Sequence, residues 1–115
     1  MPDLVPHLVT NYAANRDFHF IRVNVLDTHG ARSAYGACER ADARADYAAG
    51  ANVCEFAGLG ASIYLLEVQL LDAGLHTVAF KRIRVTLAER TIVRCEIATP
   101  PPHIDLGLPP ILPRG

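Results

Sequence analysis

Three cysteines, five histidines and twelve carboxylates are the side chains with which this 115-residue chain could do chemistry. A Cys-His nucleophile would set Cys38, Cys54 or Cys95 beside His19, His29 or His76, and it needs a thiol whose pKa is lowered. Cys54 and Cys95 instead fall on inward phases of apolar stretches, beside Phe56, Val93 and Ile97. There a thiol acts as a small hydrophobe. Cys38 and Cys54 lie on segments that could be neighbouring strands, so a disulfide between them is the other use of this pair. The cysteines form no Cys-x-x-Cys motif and are too few for a disulfide framework.

Metal binding needs three or four converging ligands. His7, His19, His29, His76 and His103 are scattered, with no His-x-His or His-x-x-x-His spacing. Asp27, Asp42, Asp46 and Asp72 form no calcium-loop pattern. Asp27 and Asp72, just ahead of Gly30 and Gly74, read as turn formers. No catalytic residue, cofactor or metal ligand is therefore assigned. Arg22, Lys81, Arg82 and Arg84 make a local basic group within a formal net charge of −1, and tryptophan is absent. That balance favours neither a nucleic-acid partner nor a carbohydrate-stacking platform.

The elements around these residues are short and alternate with period two. Ile21, Val23 and Val25 share one face of a strand from Phe18 to Leu26, with Arg22 and Asn24 on the other. Tyr64, Leu66, Val68 and Leu70 share a face between Ile63 and Leu70, as do Ile83, Val85 and Leu87 further on. Val93, Cys95 and Ile97 alternate over Thr91 to Ala98. Short strands are expected at Gly36–Arg40, Val53–Phe56 and His76–Phe80, with a loop after Arg40. No apolar period of 3.6 is sustained. The fold class expected is all-β, a single small antiparallel sandwich of about seven strands.

Both ends carry prolines. Pro2 and Pro6 argue for an extended N-terminal arm over 1–17, ahead of a sandwich domain at 18–98. Pro100, Pro101 and Pro102 open a tail over 99–115 that also holds Pro109, Pro110 and Pro113. The arms are apolar: Leu4, Val5, Leu8 and Val9 in one, Ile104, Leu106, Leu108, Ile111 and Leu112 in the other. These nine residues are the expected partner-binding set. No apolar run is long enough for a membrane helix, and Met1 to Asp17 lacks the pattern of a secretory signal, so cytoplasmic synthesis is expected.

The order of motifs resembles the transthyretin-like and carboxypeptidase-regulatory-like β-sandwich over residues 20–98. The matching pieces are Val25-Leu26-Asp27-Thr28-His29-Gly30, Gly36-Ala37, Phe56-Ala57-Gly58-Leu59, Tyr64-Leu65-Leu66-Glu67-Val68, Gly74 and Ile83-Arg84-Val85. The resemblance implies a transthyretin-like or Ig-like sandwich. It departs from the pattern where Ala61-Ser62-Ile63, not glycine, leads into Tyr64. Hydroxyisourate hydrolases of the same superfamily share Val25-Leu26-Asp27-Thr28. Where they carry a strand histidine this chain has Asn24, and their closing Tyr-Arg-Gly-Ser is replaced by Pro113-Arg114-Gly115. The resulting expectation is a non-enzymatic structural or scaffolding subunit of a virion, filament or other complex. Its partners would be protein subunits, including copies of itself, held through the arms. A carboxypeptidase-regulatory-like module binding a glycan or protein is the alternative, and a divergent hydroxyisourate hydrolase the third.

Overall fold

A computed structural model describes residues 2–27 and 33–100. It is all-β: β1 (Leu4–Thr10), β2 (Phe20–Leu26), β3 (Ser33–Arg40), β4 (Ala51–Asn52), β5 (Ser62–Leu71), β6 (Thr77–Leu87) and β7 (Thr91–Ile97). Two sheets face each other as a small sandwich, one ordered β4-β1-β7 and the other β3-β2-β5-β6. Every pairing is antiparallel except β1 with β7, which is parallel. A parallel pair cannot be joined by a hairpin, and here nearly the whole chain serves as the crossover.

The alternation read from the sequence decides which side chains meet between the sheets. Ile21, Val23 and Val25 of β2 and Leu66, Val68 and Leu70 of β5 are buried there. Val85 and Leu87 of β6, Leu4 and Leu8 of β1, and Cys95 and Ile97 of β7 complete the layer. Phe18, Tyr47, Phe56 and Leu59 join the same core from the connections, with Phe18 edge-on to Tyr47 at 5.6 Å between ring centroids.

The N-terminal arm is a correction. Residues 4–10 are a central strand, and Leu4 and Leu8 are wholly buried. Pro6 is tolerated because of where its missing N–H would point. Leu4 N–H donates to Phe56 O, Val53 N–H to Pro6 O and Thr10 N–H to Tyr47 O, so the even-numbered residues of β1 face the β4 side. On that side the partner strand lasts only two residues before the chain leaves the ladder. The donor that proline lacks would have met Val53 O at the end of this short ladder, so Pro6 forgoes one terminal bond while its own carbonyl still accepts Val53 N–H.

Two other boundaries move. The strand expected at His76–Phe80 and the alternating Ile83, Val85 and Leu87 beyond it belong to one eleven-residue strand, with Lys81 paired to Val68. The strand expected at Val53–Phe56 shifts to Ala51–Asn52, and Phe56 keeps a single bridge to Leu4. The alanine-rich stretch after Arg40 is the expected loop. Asp42 Oδ1 accepts Arg44 N–H, Asp46 Oδ1 accepts Ala49 N–H, and the Tyr47 hydroxyl accepts Asp42 N–H.

Candidate functional site

Register lays out the solvent face of the four-stranded sheet row by row. Cys38, Arg22, Gln69 and Phe80 stand side by side on β3, β2, β5 and β6, and the next row reads Gly36, Asn24, Glu67 and Arg82. Arg40 lies beyond one end, stacked over Phe20 at 5.6 Å, and Arg84 beyond the other. Four guanidinium groups thus share a face with one carboxylate.

That carboxylate is nearly enclosed. Glu67 is only 7% exposed although it points away from the core. Its Oε2 accepts Arg82 Nε–H at 2.8 Å and its Oε1 accepts the Asn24 amide at 3.2 Å. Arg22 donates to Gln69 in the neighbouring row at 3.3 Å, and Arg82 also stacks over Phe80. Asn24 spends its side-chain amide on this network.

Two sheet edges have no outer neighbour among the described residues. β6 ends the four-stranded sheet and β7 ends the three-stranded one. The short connection 88–90 brings β7 back along β6, close enough for Lys81 to act on the Cys95 thiol. These two strands carry exposed apolar side chains: Val78, Phe80 (57% exposed) on the outer face of the four-stranded sheet, and Ile92 (56% exposed) on that of the three-stranded sheet. The periodicity marked Phe80 and Ile92 only as strand residues. Their exposure follows from lying on outward phases of strands that have no outer neighbour among the described residues.

The expected partner-binding set divides. Leu4 and Leu8 belong to the core and Val5 is 2% exposed, so these three are unavailable to a partner in the folded chain, a second correction. Val9 lines an open cleft of about 290 Å³ with Thr10, Asn11, Ala48, Glu96, Ile97 and Ala98, where β1 and β7 end. Ile104, Leu106, Leu108, Ile111 and Leu112 lie outside the described residues.

All three thiols are free. Ala37 packs toward the core, so its neighbour Cys38 projects from the outer face of β3, whereas Cys54 packs against the core from the other sheet. The sheet stands between them, which corrects the expected Cys38–Cys54 bridge. Burial, with the charge of Glu39 adding to it, raises the Cys54 thiol to about 11. Burial also raises Cys95 to about 11 against the opposing pull of Lys81. Both thiols are protonated at neutral pH.

The histidines stay apart. His7 Nδ1 bonds Asn52 Oδ1 at 2.9 Å on the outer face of the three-stranded sheet, and His76 Nδ1 lies 3.3 Å from Asp72 in the β5–β6 turn. His19 leads into β2 with a buried Nδ1 that has no protein partner. His29, His103 and the turn expected at 28–30 lie outside the described residues. Among the described residues no three His, Cys, Asp or Glu side chains converge as metal ligands. Among them, too, no helix is long and apolar enough to cross a membrane. No protein-family model, curated protein or solved structure matches the chain.

Proposed function

We propose that this chain is a non-enzymatic structural subunit that packs into a multi-subunit protein assembly. The observation that carries this is the pair of edge strands β6 and β7, which have no outer neighbour among the described residues and which carry exposed Val78, Phe80 and Ile92. Such an edge is a template for another chain, and natural proteins usually blunt or cover it. The apolar segment beyond Pro102 supplies further material that gains by burial against a neighbour. The N-terminal residues serve the core and take no part.

Light scattering on the full chain and on a chain cut after Ala98 tests this. The full chain should form a defined oligomer that the cut chain, with an unchanged far-UV spectrum, does not form. A full chain that stays monomeric across concentration overturns it.

A second role draws on the arginine-rich face. A carboxypeptidase-regulatory-like binding module would take an acidic protein ligand across Arg22, Arg40, Arg82 and Arg84. Binding would then survive removal of residues after Ala98 and weaken steeply with salt.

A further inference from the structure

Eight arginines fall within the described residues, and five of them meet an acid. Arg16, Arg44, Arg82, Arg90 and Arg94 pair with Asp17, Asp42, Glu67, Glu55 and Glu96 respectively, at 2.8–3.9 Å. The three with no acidic partner among the described residues are Arg22, Arg40 and Arg84. All three stand on the outer face of the four-stranded sheet.

Neutral groups hold two of them in place. Arg40 lies over the Phe20 ring at 5.6 Å, and Arg22 donates to the Gln69 side-chain oxygen at 3.3 Å. Neither contact neutralises a guanidinium. Arg22 and Arg40 are also diagonal neighbours on β2 and β3, about 7–8 Å apart, and like charges at that range repel. Folding gains nothing from this arrangement, whereas an anionic ligand spanning the two does.

Register extends the line across the sheet. Moving one strand across and two residues along leads from Arg40 on β3 to Arg22 on β2, Glu67 on β5 and Arg84 on β6. That diagonal covers about 24 Å, the length of about eight extended residues. Glu67 interrupts the positive charge, but Arg82 already neutralises it at 2.8 Å and it is only 7% exposed. Cys38, exposed, lies beside Arg22 and two residues from Arg40.

Charge complementarity calls for an acidic occupant. A second copy placed by a two-fold axis would set these arginines against one another. Single-stranded nucleic acid would stack its bases on open rings, and both rings of this face, Phe20 and Phe80, already stack against a guanidinium. A net charge of −1 also gives a polyphosphate little long-range attraction. Near Arg84 the face is aliphatic, with half-buried Leu26 and Leu65 and exposed Ile63, which suits the side chains of a peptide.

We propose that the outer face of the four-stranded sheet binds an extended acidic segment of a partner protein, with carboxylates set against Arg40, Arg22 and Arg84. This rests on the second role above and gives its ligand a form and a seat.

The probe is an eight-residue peptide of alternating Glu and Thr with blocked ends, titrated into the full chain at low salt. Binding should weaken as salt is added and should slow labelling of Cys38 by N-ethylmaleimide. Arg22→Gln, Arg40→Gln and Arg84→Gln should each weaken it roughly threefold. Glu67→Gln, which frees Arg82, should tighten it by a similar factor. Binding that ignores all four substitutions and leaves Cys38 labelling unchanged would overturn the seat but leave the binding role standing. Oligothymidylate held by these arginines more tightly than the peptide would overturn the peptide assignment. If neither probe binds, this seat and the second role both fall.

Discussion

The Glu67 carboxylate meets the Arg82 guanidinium at 2.8 Å across β5 and β6, on the side of the sheet that faces away from the core. Its other oxygen is held by Asn24 from β2, so one acid joins three adjacent strands. With the Glu67 side chain only 10% exposed, loss of its cation leaves a poorly hydrated charge. Because Arg82 itself is more than half exposed, water replaces part of what is lost. Arg82→Ala should destabilise the fold by about 1–2 kcal/mol, read as a lower urea midpoint at unchanged slope. Glu67→Gln, which keeps an acceptor and discharges the site, should cost less. Equal effects from the two would show that the charge is irrelevant.

Because β1 is a core strand, its residues should behave as core residues. Leu8→Ala removes a fully buried side chain and should cost about 2–5 kcal/mol. Removal of residues 1–10 should abolish the cooperative unfolding transition. A truncated chain that still unfolds cooperatively would restore the arm.

Gly50 has φ +113, and a Cβ placed there would lie 2.4 Å from His7 Nε2. Gly50→Ala should therefore destabilise by more than about 1 kcal/mol. Trimming the obstructing ring with His7→Ala should recover only part of this, because the backbone angle still excludes a side chain. Full recovery in the double variant would mean that the clash alone matters.

Acid should weaken the fold through half-buried carboxylates that accept hydrogen bonds. Asp72 is lowered first by the His76 backbone N–H, Asp17 first by the Arg16 side chain, and Asp3 first by the Gly58 N–H. In each the folded pKa lies below the unfolded value near ~4, so the unfolded chain binds more protons in that window. The stabilisation is complete above the unfolded value and lost as pH falls through the folded one. Urea midpoints measured from pH 2 to 6 should rise with pH, less steeply in Asp72→Asn.

Thiol labelling should separate the three cysteines. Cys38 is exposed and should react first with an aromatic disulfide reagent. Cys54 and Cys95, with pKa values raised to about 11, should wait for denaturant. Denatured without reductant, the chain should titrate for three thiols, and a count of one would reinstate the Cys38–Cys54 bridge.

The strand phases over 21–25, 64–70, 83–87 and 93–97 were legible because alternation is a local property, written in consecutive side chains. A loop was expected after Arg40, but the turn bonds of Asp42 and Asp46 that shape it emerged only in the fold. What a strand pairs with is not local. The parallel partnership of β1 with β7 joins residues as far apart as Thr10 and Ile97, 87 positions distant, and it turns a proline-bearing stretch into a central strand. Pro6 argued correctly that one backbone donor is missing, but only the neighbouring strands decide whether that donor would have been needed. The same holds on the outer face. Asn24, Glu67 and Arg82 each read as ordinary outward polar residues, and only inter-strand register gathers them around one nearly enclosed carboxylate. The sequence by itself determined that this chain is a β-sandwich. Tertiary structure decided which strands pair and which lie at the sheet edges among the described residues, since backbone pairing depends on residues that alternation cannot see.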